Sequence, residues 1–264
     1  MSEIVHDRLP LAPWMAAHTL RLPGTQPIAP ADWLQRDEVF DAQMRYRDRL
    51  IAERPEAVHA MTDGAGPAAR ELLGLVLAHI AGVPGYRREE GAMRRPDGVL
   101  VPLDGEPLVT AGRLVQEDLC LMEKRDGAAE HVLTGAILCF PSNWTLAQKI
   151  GMSLTRIHLP VEAYDETVAK RVQRLFDLVR PEAPLMRANL IPYAHPDLHS
   201  PRAEFDRHRP PEVRFVRVER QTILRLPETG AGIFSIHVYQ APLSAIEGEA
   251  RAALMAARPA WFTA

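Results

Sequence analysis

The sequence predicts an α+β protein built on an antiparallel sheet that a helical segment interrupts midway. Three observations predict it. Two apolar runs, 116–124 and 130–140, flank Lys124-Arg125-Asp126-Gly127, and an Asp-Gly pair between such runs is a hairpin signal. Residues 213–226 alternate apolar and charged, turn at Pro227, Gly230 and Gly232, and continue into the β-rich run 233–239. Between the two hairpins, apolar residues recur at helical spacing, and this stretch carries His158.

The elements follow in order. The first thirty residues hold Pro10, Pro13, Pro23, Pro27 and Pro30 and read as an extended arm, with Trp14 and Leu20 as its anchors. Asp32 is placed to cap the next helix, where Val39, Phe40, Tyr46 and Leu50 recur until Pro55. A second helix runs from about Pro67 to Ala81, with an apolar face of Leu72, Leu73, Val76, Leu77 and Ile80. Gly82 and Pro84-Gly85 end it, and the charged residues 85–98 read as a loop.

After the first hairpin, Pro141-Ser142-Asn143 ends the strand, and Ser142 or Asn143 is placed to cap a short helix over 144–151. Tyr164, Val168, Val172, Leu175, Phe176 and Val179 then form one stripe of a long helix that Pro181 closes. A weak strand, 185–191, precedes the second hairpin, and a short helix over 242–257 finishes the chain. The result is a five-stranded antiparallel sheet with a helical crossover, the element order of a PAS-type domain. Residues 1–114 are then an N-terminal arm and helical extension packed on a core domain of 115–264.

The length of 264 residues and the apolar share suit one compact unit with a real core. A net charge of −3 gives no reason to expect nucleic acid or an anionic membrane as partner. Residues 1–10 lack the apolar run of a signal peptide, and no run approaches a membrane span, so a cytoplasmic protein is expected. Cys120 and Cys139 sit in apolar runs and read as buried thiols rather than a redox pair.

Several residues are candidates for chemistry. His158 follows helical residues, precedes Pro160 and lies in the crossover; it is either a metal ligand or a hydrogen-bonded histidine at a helix–loop junction. His195 and His199 have H-x-x-x-H spacing, but Pro192, Pro196 and Pro201 argue for a polar loop. His237, in a strand, is equally a core or a site residue. Glu117 and Asp118 open a strand, so only one of them can face a given pocket. Glu219 and Arg220 sit mid-strand, solvated or paired inside. A pocket arginine, at Arg220 or at Arg187 beside Asn189, suits ligand carboxylates.

Four motifs, in this order, carry a resemblance. They are Val115-Gln116-Glu117-Asp118-Leu119-Cys120, Phe140-Pro141-Ser142-Asn143-Trp144, Ile157-His158-Leu159-Pro160-Val161 and Arg217-Val218-Glu219-Arg220-Gln221-Thr222. With Pro30 to Leu34 and Glu53 to Val58, the chain resembles the α-subunit family of haem-dependent oxidative N-demethylases over most of its length. The resemblance implies a PAS-like fold that binds haem b and oxidises a small secondary amine, such as dimethylamine, with O2. It implies His158 as the axial iron ligand. It also implies partner subunits that supply electrons through flavin and iron–sulfur centres and take up formaldehyde on folate.

On this resemblance Glu117 or Asp118 is expected to hold the ammonium group. Arg220 is expected to pair with a haem propionate or with Glu219, and Trp144, Arg187 and Asn189 to line the cofactor site. Family members often carry Arg-x-Asn-Trp where this chain has Arg187-Ala188-Asn189-Leu190, a change expected to reshape the pocket. The alternatives are a haem-based gas or redox sensor, or a non-catalytic small-molecule-binding domain.

Overall fold

The computed structural model describes residues 4–16, 19, 22–161, 163–206, 210 and 212–262. Leu20, one of the two expected anchors of the arm, lies outside them. Trp14 is buried and donates from Nε1 to the Ala250 carbonyl at 2.7 Å, which pins the arm to the C-terminal helix.

The extension contributes more to the sheet than the sequence suggested. A two-residue strand β1 (Gln26–Pro27) comes first. Asp32 closes a 3-10 turn over Pro30–Asp32 and caps nothing; helix α1 (Phe40–Glu53) begins eight residues later. The chain continues through α2 (Pro55–Val58), β2 (His59–Met61) and α3 (Gly66–Ile80). Residues 85–98, expected as a loop, belong to a small sheet of β3 (Arg87–Glu89), β4 (Ala92–Arg94) and β5 (Leu100–Pro102). Three-residue strands rich in arginine and glutamate carry too little periodicity to be read; what holds them is the burial of Met93 and Val101 in the main core.

Helix α4 (Pro107–Gly112) follows, with Pro107 in its first turn and Glu106 accepting from the Val109 amide at 2.8 Å. Gly112 is there for space, since a Cβ would lie 2.4 Å from Ile137. The expected hairpin is β6 (Asp118–Glu123) and β7 (Val132–Ile137), with a bulge between Leu121 and Met122.

The crossover holds α5 (Leu146–Lys149), α6 (Leu154–His158) and α7 (Glu166–Leu178). Neither Ser142 nor Asn143 caps α5, whose N-cap is Thr145. His158 ends α6 rather than following a helix. Three long strands or strand–helix units complete the chain: β8 (Leu185–Tyr193), β9 (Phe215–Arg225), β10 (Gly232–Pro242) and then α8 (Gly248–Ala257).

The main sheet has seven strands, not five, in the order β1-β8-β9-β10-β6-β7-β2, and every pairing is antiparallel. The five expected strands are its middle; counted among themselves, their spatial order is 3-4-5-1-2. Short segments of the extension occupy both edges, covering backbone groups that would otherwise be unpaired.

Register assigns each side chain to a face. One face carries Arg187, Asn189, Arg217, Glu219, Gln221, Phe234 and Ile236, because these stand opposite one another across β8, β9 and β10. The crossover packs here: a Cβ on Gly232 would meet the Phe176 ring of α7 at 2.8 Å. The other face carries Val216, Val218, Arg220, Ser235, His237 and Tyr239 and is covered by the extension, with Trp33 donating to Ser235 Oγ at 3.0 Å. One apolar cluster runs from Trp33 through α3, β6 and β7 to Phe176 and Val238, so extension and core share a single interior.

Candidate functional site

On the crossover face, Ser153 starts α6, its Oγ accepting from the Arg156 amide. That short turn fixes the His158 ring. Nδ1 donates to the Leu154 carbonyl at 2.8 Å, and the ring stacks on Tyr164 with centroids 4.2 Å apart and planes 11° apart. Burial lowers the His158 pKa; the Leu154 bond opposes this, and the positive charges of Lys149 and Arg187 lower it further. The imidazole is therefore neutral at pH 7 with its proton on Nδ1, which leaves Nε2 with a free lone pair. A ring nitrogen held on a carbonyl while the other is bare is the arrangement of metal-ligating histidines.

Arg187 supplies the second feature. Its Nε donates to the Pro23 carbonyl at 3.0 Å and its Nη1 to Gln221 Oε1 at 2.5 Å. Burial lowers its pKa, and the nearby Glu219 offsets part of this. Among the described residues it makes no direct ion pair, so it is a half-buried cation short of an anion. The ladder continues from Gln221 Nε2 to Glu219 Oε2 at 3.1 Å, and Glu219 Oε1 lies 3.3 Å from Arg217 Nε. Asn189 stands opposite Glu219 and caps its own neighbour, the Leu190 amide, at 2.9 Å. Buried, unpartnered Tyr164 Oη adds an orphan polar atom beside His158.

The extension face is different in kind. His237 Nδ1 lies 3.0 Å from Glu117 Oε1 and its Nε2 lies 2.9 Å from Asp37 Oδ2. Both nitrogens face carboxylates, so both donate and the ring is an imidazolium. Burial opposes that charge, but Glu117 and Asp37 outweigh it and push the pKa up to about 9. Burial likewise opposes the Asp37 anion, yet hydrogen bonds from His237 and His6 hold its carboxyl well below the usual range. His6 Nε2 donates to the same Asp37 oxygen at 2.8 Å, and Gln116 Nε2 donates to Oδ1 at 2.8 Å. Among the described residues, His6, Asp37 and Glu38 are the group close enough to share a metal ion, but two rings already use Asp37 Oδ2.

The expected site residues thus divide. His158, Arg187 and Asn189 belong to the crossover side. Glu117 faces the extension, with one oxygen on His237 and on the Gln35 amide and the other buried without a partner. Asp118 accepts from Arg47 and from the Cys139 and Phe140 amides at 2.7–2.9 Å, which makes it a clamp between α1 and the end of β7. Arg220 points to the extension face and donates to the Asp32 and Trp33 carbonyls, so it is not beside Arg187 or His158. Trp144 is half-buried against the main core. Leu190 stands opposite Val218 and packs with the cluster of Trp14 and Tyr239, so the expected effect of losing an aromatic there falls on the extension face, not around His158.

His199 is buried with Nδ1 on the Cys139 carbonyl, and both cysteines are buried free thiols. The H-x-x-x-H pair is no helix motif: His195 lies in a loop and lines surface cavities. Sequence reasoning missed Tyr164 as a site residue, because the helical stripe expected from Tyr164 to Val179 explains it without a ligand, whereas in the structure it precedes α7. It missed His6 and Asp37 because their partners on β10, His237 and Gln240, lie 200 or more residues away in the chain.

Among the described residues no helix is long and apolar enough to cross a membrane. The sequence model of the family described as haem-dependent oxidative N-demethylase, alpha subunit-like, matches residues 24–260, which include every residue of the His158–Arg187 cluster and all but β-strand-free ends of the chain. The alpha-subunit designation implies other subunits, and the family name implies haem. A neutral histidine nitrogen without a partner among the described residues, beside a half-buried arginine, fits such a group, and over nearly its whole length this chain belongs to the haem-dependent oxidative N-demethylase alpha subunit-like family.

Proposed function

We propose that this chain is the haem-b-binding subunit of an oxidative N-demethylase acting on a small secondary amine such as dimethylamine. The observation that carries the proposal is His158, whose Nδ1 is spent on Leu154 and whose Nε2 has no partner among the described residues. Arg187 is the residue to hold a propionate, since its fork matches a carboxylate and it has no carboxylate of its own. The 3-4-5-1-2 order of the five middle strands supports a PAS-like core with the ligand between sheet and crossover.

Haem, when bound, supplies oxygen activation and one-electron chemistry. The protein's own groups do the rest. His158 would hold the iron through Nε2 and so set its position and electronic character. The apolar residues Phe234 and Ile236 on the same face exclude water. The acids expected to hold the ammonium group, Glu117 and Asp118, do not face this side; Glu219 does, and it keeps acceptor capacity beside its contacts to Arg217 and Gln221. Glu117 and Asp118 then serve the fold. Oxidation of dimethylamine by O2 to methylamine, formaldehyde and water consumes two electrons and two protons. Those electrons come from a partner subunit carrying flavin and iron–sulfur centres, with a folate-binding subunit taking the formaldehyde, in the cytoplasm.

The test is a visible spectrum of protein produced with a haem precursor. A Soret band in the wild type that is lost or shifted in His158→Ala supports the assignment. A wild type without the band sinks the haem reading, and an unchanged band in the variant sinks His158 alone. A spectral shift on adding dimethylamine favours turnover over sensing.

A further inference from the structure

The turn that carries His158 is held at its end by a buried lysine. Helix α6 has five residues, too few to be stable on its own hydrogen bonds, so it depends on groups around it. At its start the Glu130 carboxylate accepts from the Thr155 amide at 2.8 Å, and the Leu154 amide donates to the His131 carbonyl at 3.0 Å. At its end the last carbonyls need donors. The Leu154 carbonyl takes His158 Nδ1, the His158 carbonyl takes the Val161 amide, and the Ile157 carbonyl takes Lys149 Nζ, each at 2.8 Å. Of these three donors only Lys149 comes from another element, and only Lys149 is charged.

Lys149 ends α5, and the residues just after it are tied to β7. The Gly151 amide donates to the Leu133 carbonyl at 2.8 Å, and the Leu133 amide donates to the Met152 carbonyl at 3.0 Å. The buried Lys149 side chain also donates to Glu204 Oε1. Arg156 grips the same carboxylate from α6, with Nη1 and Nη2 at 2.7 and 2.8 Å. The Glu204 amide donates to Gln148 Oε1 at 3.0 Å, so the acid is fixed to α5 through its backbone as well. Bonds from Arg156 and Lys149 hold the Glu204 carboxyl down at about 2, so it is an anion at neutral pH. Two cations thus share one carboxylate, and the cluster keeps a net positive charge. Lys124 and Lys170, the only other lysines, are on the surface, and every other cationic side chain apart from histidine is an arginine. A compact ammonium can donate to a carbonyl and a carboxylate in different directions, which a planar guanidinium does less well.

The carbonyl that Lys149 holds belongs to the residue immediately before His158. Without that bond the last turn of α6 loosens, and with it the hold of the Leu154 carbonyl on the ring. The ammonium also acts on the ring through space, lowering its basicity together with Arg187. A positive charge near an iron ligand disfavours the ferric state more than the ferrous one. We propose that Lys149 is a positioning residue for the haem ligand: it locks the turn that aims His158, and its charge, only partly cancelled by Glu204, makes the iron easier to reduce. The inference rests on the reading of His158 as the axial ligand.

The test compares the full chain with Lys149→Met, Lys149→Arg and Glu204→Gln by haem titration and by spectroelectrochemical reduction potential, with circular dichroism to confirm folding. Lys149→Met is expected to weaken haem binding by about tenfold and to shift the potential to more negative values. Lys149→Arg keeps the charge and is expected to recover part of both. Glu204→Gln keeps an acceptor for both cations but removes the anion, and is expected to shift the potential to more positive values. Opposite signs separate charge from simple loosening, which moves both variants the same way. In the protein without haem, the Ile157 and Val161 amides, both bonded within the turn, are expected to exchange hydrogen faster in Lys149→Met. A wild type without a Soret band overturns the haem reading and this inference with it. A wild type with the band, beside a Lys149→Met variant of unchanged affinity and potential, overturns this inference alone. Potential shifts of the same sign in Lys149→Met and Glu204→Gln overturn the role of the charge, and unchanged exchange overturns the locking of the turn.

Discussion

Each face of the sheet has its histidine, one fully buried and one half-buried, and the two are opposites. On the extension face His237 spends both nitrogens on carboxylates, is charged, and ties Asp37 and Glu117 to β10. On the crossover face His158 spends one nitrogen on its own helix, is neutral, and leaves the other bare. Arg220 and Arg187 repeat the contrast. The first is used up on the Asp32 and Trp33 carbonyls of the extension, and the second is a half-buried charge without a direct carboxylate partner among the described residues. A polar group whose bonds are all made holds the fold, and one with a bond to spare waits for a ligand.

The largest effect that tests this contrast is on cofactor binding. His158→Ala is expected to weaken haem binding by about 100-fold or more while leaving the urea-unfolding midpoint of the apo protein nearly unchanged, since only one side-chain hydrogen bond is lost. His237→Ala is expected to do the reverse. It removes the cation shared by buried Glu117 and half-buried Asp37 and should cost about 3–5 kcal/mol in urea unfolding, with the haem spectrum of the folded fraction retained. If both variants lose haem and stability together, the two faces are not separable in function.

The arginines sharpen the same point at smaller scale. Arg187→Gln is expected to lower haem affinity by about tenfold, and Arg220→Gln to lower stability instead, by about 1–3 kcal/mol, through the Trp33 and Asp32 carbonyls left without a donor. A parallel comparison of haem titration and urea unfolding for the two variants separates these outcomes.

The weakest expected effect is the pH dependence. The folded-state pKa of His237 is raised to about 9, so its contribution to stability is fully present below about 6.5 and is lost as pH rises through about 9. Asp37 is lowered, so its contribution is present above about 4 and is lost as pH falls below that. Thermal unfolding of the wild type should therefore weaken toward both extremes, and His237→Gln should flatten the alkaline side. His158 has the opposite sign to His237. Its lowered pKa predicts that haem affinity is flat at neutral pH and falls only in acid, which a haem titration over the same range reads directly.

How much of this was legible depended on range along the chain. The hairpin β6–β7 was readable because Asp126-Gly127 and the apolar runs beside it are local signals, and β9–β10 because alternation and a glycine turn adjoin. The edge strands β1 and β2 were not, since two or three residues carry no period and become strands only by pairing with β8 and β7. His158 was singled out by its place in the crossover and by the motifs around it. Glu117, Asp118 and Arg220 were drawn to the same pocket because they sit in the same motifs, but motif membership does not say which way a strand residue points.

The sequence by itself determined the antiparallel α+β class, the five central strands, the helical crossover and the candidacy of His158, because turns and periodicity act over a few residues. Only the tertiary structure decided which face each polar residue serves. Register is set by partners far away in the chain, and a one-residue step moves a side chain to the other side of the sheet. That is why Glu219 and Gln221 stand with Arg187 beneath the crossover while Arg220, between them, belongs to the extension.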